Sequence, residues 1–166
     1  MSDDPIKIDD STRSGNTPSA LRFAREAALQ VLYCIDMQRD WFLETQTLDT
    51  LWEQAREGMP EDWNNEQQRR VQRFAYKLIE GVLNKREEVD SILAKYAEHW
   101  SVERMTAIDR SILRMAAFEL LFEENVPPKT AVNEAIEMAK KFGDKDSGRF
   151  INGLLDRVMR SELNST

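Results

Sequence analysis

The feature that most restricts the fold is the run from Ile112 to Phe122. Ile112, Leu113, Met115, Ala116, Ala117, Phe118, Leu120, Leu121 and Phe122 leave it almost no polar face. A helix that is apolar nearly all round must be enclosed by other elements, so this segment, read as a helix over 102–122, belongs at the centre of the fold. Its neighbours in the chain are helical too. Ala24, Ala28, Val31 and Ile35 mark a first helix from Ser19 to near Gln38. Leu48, Leu51, Trp52 and Ala55 mark a short second one, stopped by Gly58, Met59 and Pro60. Val71, Phe74, Ala75, Leu78 and Val82, continued in phase by Val89, Ile92, Leu93 and Tyr96, predict one long third helix with Gly81 as its candidate bend.

Beyond the central run, Val126-Pro127-Pro128 closes one helix and opens the next. A residue before proline avoids the α region, whereas Pro128 suits the first helical position. That helix presents Val132, Ala135, Ile136, Ala139 and Phe142 and stops at Gly143. The last helix opens at Asp144 to Ser147, with Asp146 or Ser147 as its cap, and runs to about Arg160 on Phe150, Ile151, Leu154, Leu155 and Val158. Gly148 and Gly153 interrupt it, each at a cost of about 1 kcal/mol against Ala; close backbone packing is the expected compensation. With only six glycines and five prolines in 166 residues, the pattern excludes many short strands joined by turns. The fold class is all-α, with six to seven helices. Residues 1–17 read as a flexible polar tail and 18–166 as one helical domain, divided into an N-terminal bundle over 18–96 and a C-terminal bundle over 97–166.

One cysteine, Cys34, and one histidine, His99, exclude a disulfide framework and a structural zinc site, and fit a reducing cytoplasm. No signal peptide is evident, and nowhere do about 18 apolar residues follow one another as a membrane span requires. A net charge of −7 excludes tight, sequence-indifferent nucleic-acid binding, which needs an excess of Lys and Arg. Any RNA contact is therefore focal and assisted by a partner. The chain has no glycine-rich phosphate loop, HExxH or paired-carboxylate motif, and neither Cys34 nor His99 has a nucleophilic setting. The reading is a protein without catalytic activity or cofactor.

Four places carry candidate chemistry. At 100° per residue, Arg22, Leu29, Tyr33 and Asp36 fall roughly opposite the buried stripe of the first helix, with Arg25 at its flank. They form a surface patch, a docking site, or a face covered by the second bundle. Arg22 and Arg25, three apart near a helix start, have the geometry to grip successive phosphates, or form an ordinary solvated face. Arg69, Arg73 and Lys77 line up on the third helix, but Glu66 and Glu80 lie close, which favours ordinary surface charge. Arg114 interrupts the apolar run and must be paired or reach water, with Glu134 or Glu119 as candidate partners.

The stretches RFAREAALQVLY (22–33), DRSILRMAAFEL (109–120), VPPKTAVNEAIEMAKKFG (126–143) and DSGRFINGLLD (146–156) resemble the NusB family pattern in order and spacing. That resemblance implies two small helical bundles packed across one another. It implies transcription antitermination, with boxA RNA of ribosomal RNA leaders bound jointly with the small-subunit ribosomal protein NusE within the elongation complex. Carried over by position, it implies RNA contacts at Arg22, Arg25, Lys145, Asp146 and Phe150, and protein contacts at Tyr33, Glu103 and Asp109. Leu21 and Phe23 stand where the family is often basic, which thins the arginine grip. The segment before the third helix is longer and holds Trp41, Trp52 and Trp63, which either cover a surface or make a homodimer. Two alternatives remain open: a protein scaffold without strong RNA binding, and a domain of the kind that precedes ribosomal RNA cytosine methyltransferases.

Overall fold

A computed structural model describes residues 19–98 and 101–163; the expected tail over 1–17 and the turn at His99 and Trp100 lie outside them. The described residues form α1 (Ala20–Gln38), α2 (Thr45–Ala55), α3 (Asn65–Tyr96), α4 (Ala107–Phe122), α5 (Pro128–Phe142) and α6 (Ser147–Val158), with no strand among them. The all-α expectation holds.

Local chemistry sets the helix ends. The Ser19 hydroxyl accepts the Arg22 N–H at 3.2 Å to start α1. Arg39 ends that helix in the left-handed region, φ 55°, with its N–H returned to the Asp36 carbonyl at 3.2 Å. A full capping box starts α3: the Asn64 side chain accepts from Gln67 N–H at 2.9 Å while the Gln67 side chain accepts from Asn64 N–H at 2.8 Å. Pro128 occupies the first turn of α5.

The central helix is shorter than its apolar pattern predicts. Val102–Arg104 form a single 3-10 turn, and α4 begins only at Ala107 because the Thr106 hydroxyl takes the Asp109 N–H at 3.2 Å. Arg110 then bonds the carbonyls of Val102 and Met105, at 3.3 and 3.0 Å, which holds the segment before the cap outside the helix. At the other end, α6 loosens into a π-helical turn over Met159–Leu163.

As its composition requires, α4 is enclosed: every residue from Ser111 to Leu120 is buried, and α1, α3, α5 and α6 all pack on it. Buried side chains from all six helices form one contiguous cluster. Two of the inserted tryptophans belong to it. Trp52 and Trp63 are buried, edge-on to Tyr76 and Phe23 respectively, each with ring centroids 5.7 Å apart. Trp52 and Trp63 thus cover the chain's own core, and the partly buried Trp41 packs against it.

Three glycines in helices differ sharply. α3 runs unbroken through Gly81, which is there because Phe118 of α4 lies against its backbone: a Cβ would sit 2.1 Å from the Phe118 ring. At Gly148 and Gly153 the expected close packing is missing, since the nearest atoms to an added Cβ are flexible side-chain ends 3.8 Å away. Gly81→Ala should therefore lower stability by about 1–3 kcal/mol through overpacking. Gly153→Ala should raise it by up to about 1 kcal/mol. Thermal unfolding followed by circular dichroism checks both, and equal effects of the two substitutions would refute the distinction.

Candidate nucleic-acid and protein interface

Along α1 the side chains divide differently from the helical-wheel reading. Leu29 and Asp36 are buried, and so is Arg25, only 3% exposed. The reason is that α2, α3 and α4 all pack on α1, so its covered arc extends well beyond the Ala24–Ile35 stripe. Arg25 forms a two-pronged ion pair with Glu119 of α4, Nε to Oε1 at 2.9 Å and Nη2 to Oε2 at 2.8 Å, and its guanidinium lies 5.0 Å from the Phe74 ring centroid. The expectation that Arg25 faces outward to grip RNA is thus corrected: its donors are committed to a buried carboxylate. Phe23 is buried against Trp63, so the apolar residue at that position serves packing.

Arg22, one turn earlier, stays at the surface with 40% of its side chain exposed, and forms a similar fork to Glu134 of α5 at 3.1 and 3.0 Å. That hydrogen bond, and the carboxylates of Glu134, Glu137 and Glu26, raise its pKa against a partial loss from burial. A guanidinium has five N–H donors, so the fork leaves others free for an anion.

Tyr33 is half-buried at the side of an open cleft of about 350 Å³. Phe23, Ala27, Leu29, Ala55, Ile108 and Phe142 give the cleft its apolar lining, and Glu26, Gln30, Glu57 and Lys141 its polar rim. Lys141 is fixed there by Glu26 at 3.0 Å. The α5 pattern marks Phe142 as a core residue, yet it is 41% exposed and forms one wall.

The chain turns directly beyond Phe142 into the segment that holds Lys145 and Asp146, both exposed. Asp144 organises this turn: its Oδ1 accepts the Asp146 N–H at 2.9 Å and the Ser147 hydroxyl at 3.3 Å. Asp146 occupies the cap position of α6 without a side-chain cap bond, so neither expected cap applies as written, and its carboxylate is left unused by the helix. Phe150 is half-buried and packs on the core.

The three expected protein contacts separate. Tyr33 is half-buried at the cleft, and Glu103 is exposed on the turn pinned by Arg110. Asp109 is only 7% exposed, with Oδ1 lacking a hydrogen-bond partner among the described residues. Burial raises its pKa, the Ser147 and Thr106 hydroxyls pull it back, and the neighbouring Asp144 charge adds to the rise. The first turn of α4 thus faces Asp109 largely inward.

Arg114 is paired with neither candidate, because Glu119 and Glu134 serve Arg25 and Arg22. Its fork meets Asp90 of α3 at 2.7 and 2.9 Å, and a third bond reaches Asp36 at 3.3 Å. Arg110 also binds Asp36. Trp41 lies with its ring centroid 4.4 Å from the Arg86 guanidinium and 4.9 Å from that of Arg114. Sequence reading missed the Asp36–Arg110 link; the signal available was two arginines four apart on an otherwise apolar helix. On α3, Arg69 and Arg73 are exposed, and Lys77 pairs with Glu123 at 3.1 Å.

A family model described as the NusB family matches residues 22–160. The transcription antitermination protein NusB of Myxococcus xanthus is 39% identical over 139 residues, covering 84% of this chain and 94% of that protein. The protein of the same name from Symbiobacterium thermophilum is 44% identical over 142 residues, covering 84% and 88%. Among solved structures, T. maritima NusB superposes with a TM-score of 0.68 at 32% identity, covering 87% of this chain and 92% of that one. A chain from a crystal structure of the antitermination factors NusB and NusE in complex with double-stranded RNA gives 0.68 at 27% identity, covering 86% and 97%.

Two stability predictions come from these environments. Glu119→Ala strands a buried guanidinium and should cost about 3–5 kcal/mol, whereas replacing Arg25 and Glu119 together by Met and Leu should cost far less; urea denaturation distinguishes the two. For Asp109 the raised pKa means that the folded chain holds the proton more tightly than the unfolded one. The associated stability is complete below the unfolded pKa and is lost as pH rises through the folded one. Asp109→Asn, always neutral, should therefore melt higher than the parent at pH 7, with the gain vanishing toward about pH 4. A gain that grows on acidification would contradict the burial reading.

Proposed function

Since the chain belongs to the NusB family, we propose that it is a transcription antitermination factor that binds boxA RNA of ribosomal RNA leaders together with the small-subunit ribosomal protein NusE. The observation that carries this reading is adjacency: Phe142 walls the Tyr33 cleft, and the Lys145–Asp146 turn begins immediately after it. An apolar slot with charged edges suits a folded protein partner, in which a buried anchor and a polar rim divide affinity and specificity. Exposed polar groups on a helix-opening turn suit a single strand of RNA.

In this reading Tyr33 and Glu103 meet the ribosomal protein, and the acidic character of the chain complements that basic partner. Arg22 and Lys145 hold phosphates, Asp146 accepts hydrogen bonds from bases or sugar hydroxyls, and the exposed part of Phe150 stacks. Arg25 contributes by fixing α1 on α4, which sets where Arg22 emerges. The net charge of −7 opposes RNA, so the factor relies on its basic partner to bring the strand close enough for these short-range contacts. Its work is that of a binding adaptor in the cytoplasm and not of an enzyme; among the described residues no helix is long and apolar enough to cross a membrane.

Titration of boxA RNA and of a scrambled strand, each with and without the ribosomal protein, tests the proposal. Tight binding is expected only for boxA with the protein present. Arg22→Ala and Lys145→Ala should each weaken it and reduce the salt dependence by about one ion per lost phosphate contact. Equal, weak affinity in all four titrations would overturn the reading. Affinity unaltered in the Arg22→Ala, Lys145→Ala double variant would favour a protein scaffold.

A further inference from the structure

Among the described residues three large apolar side chains stand exposed: Phe142, which walls the Tyr33 cleft, and Met37 and Phe42, 61% and 92% exposed. A lone exposed apolar side chain is ordinary, but Met37 and Phe42 fall on the same short stretch where α1 ends. The loop fixes Phe42 in the open. Trp41 and Leu43 on either side of it both pack on the core, so the side chain between them is the one left outward. Trp41 is held by the guanidiniums of Arg86 and Arg114, at 4.4 and 4.9 Å from its ring centroid, and Arg114 is itself tied to Asp90 and Asp36. Upstream, the N–H groups of Arg39 and Asp40 return to the carbonyls of Asp36 and Ile35, both at 3.2 Å, and close the helix in a tight turn.

This end of α1 is continuous with the side proposed above for the ribosomal protein. Met37 follows Tyr33 by one helical turn, a spacing that makes side chains neighbours on one face. Arg110 bonds Asp36 and the carbonyls of Val102 and Met105, so the turn that carries Glu103 is drawn against the same helix end. Asp40 and Glu44, to either side of Phe42, are exposed and outside every ion pair among the described residues, against one cation on the loop, Arg39. The loop also lies outside the stretches that resemble the NusB pattern, in the region where this chain is longer. We propose that Phe42, together with Met37, is an apolar anchor that this chain adds to its contact with the ribosomal protein. The proposal rests on the reading of Tyr33 and Glu103 as the protein-binding side. An aromatic side chain displayed on a fixed loop loses little freedom on burial, which favours it as an anchor, and the acidic loop suits a basic partner. Two copies of the chain meeting here about a two-fold axis would bring like charges together, and an RNA strand would meet carboxylates; a basic protein meets neither penalty.

The test uses the full chain and three variants: Phe42→Ala, Phe42→Leu, and the Asp40→Asn, Glu44→Gln double. Thermal unfolding and sedimentation are measured on each chain alone, then the rates and affinity of ribosomal-protein binding without RNA, and boxA affinity with the ribosomal protein saturating. Phe42→Ala should melt with the unaltered chain, because so exposed a side chain supports nothing within it. It should weaken binding of the ribosomal protein about ten- to a hundredfold, mostly through faster dissociation. Phe42→Leu, which keeps much of the apolar area, should recover most of that loss. The Asp40→Asn, Glu44→Gln variant should slow association and flatten its salt dependence while dissociation changes little. In Phe42→Ala, boxA affinity at saturating ribosomal protein should stay within about twofold, as for a site remote from the substitution.

Unchanged affinity of Phe42→Ala for the ribosomal protein would overturn the proposal and leave the functional reading standing. Self-association of the unaltered chain that Phe42→Ala abolishes would also overturn it, with a second copy as the occupant. So would a loss of boxA affinity at saturating ribosomal protein, which makes Phe42 a contact for the RNA. An unaltered chain that binds no ribosomal protein defeats the functional reading together with this proposal, and the measurement on that chain alone separates this outcome from the others.

Discussion

The structure depends on the angle at which α1 is locked onto α4. Two buried ionic contacts fix it, one toward each end: Arg25 with Glu119, and Asp36 with Arg110 and Arg114. Along α1 the order is 25 then 36, and along α4 it is 119 then 114 and 110, so the helices run antiparallel with a charged contact at either end and apolar packing between. Hydrophobic burial alone would tolerate a small roll of α1 about its axis, because alanines and valines present similar surfaces at neighbouring angles. Two-pronged guanidinium–carboxylate pairs do not tolerate it. Their net contribution to stability is small once desolvation is counted, so what they supply is registry.

That registry has a functional consequence. Taking Arg25 as the inward direction, Arg22 and Tyr33 lie roughly 60° and 80° round the helix on the same side. Both are half-buried, neither sealed nor fully solvated. Glu134 and Glu26 then reach from this side of α1 and its neighbour to make the surface pairs Arg22–Glu134 and Glu26–Lys141, which hold α5 alongside and deliver Phe142 to the cleft wall. The buried pairs set the rotation, and the surface pairs set where the following turn begins.

How far this was legible in the sequence differs by level. Helix existence follows from periodicity, which is why α1, α3, α5 and α6 match their predicted spans within a few residues. The start of α4 was misplaced because Val102 and Met105 continue an apolar pattern, while the competing signal, the Thr106 cap, is a single hydroxyl. The need of Arg114 for a partner was legible, but its identity was not. Four buried or half-buried acidic residues, Asp36, Asp90, Glu119 and Glu134, were available on four helices, and choosing among them requires the packing angles themselves. Arg25 is the instructive miss: a wheel drawn from one stripe cannot show that neighbouring helices cover most of the circumference. Gly81 and Gly153 read alike in sequence, and only the ring of Phe118 separates them.

For the proposed reading to hold, a chain of net charge −7 must keep its own carboxylates from repelling an RNA strand. Here many are already engaged: Glu134 faces Arg22, Glu26 faces Lys141, Glu119 faces Arg25, and Asp144 is turned to its own backbone. Internal pairing of this kind shortens the reach of the negative field, since a paired charge acts as a dipole and is screened within about one Debye length of 8–10 Å. Asp109 is the exception, a buried carboxylate whose Oδ1 has no hydrogen-bond partner among the described residues. An uncompensated group so placed is costly to ionise, and burial accordingly raises its pKa.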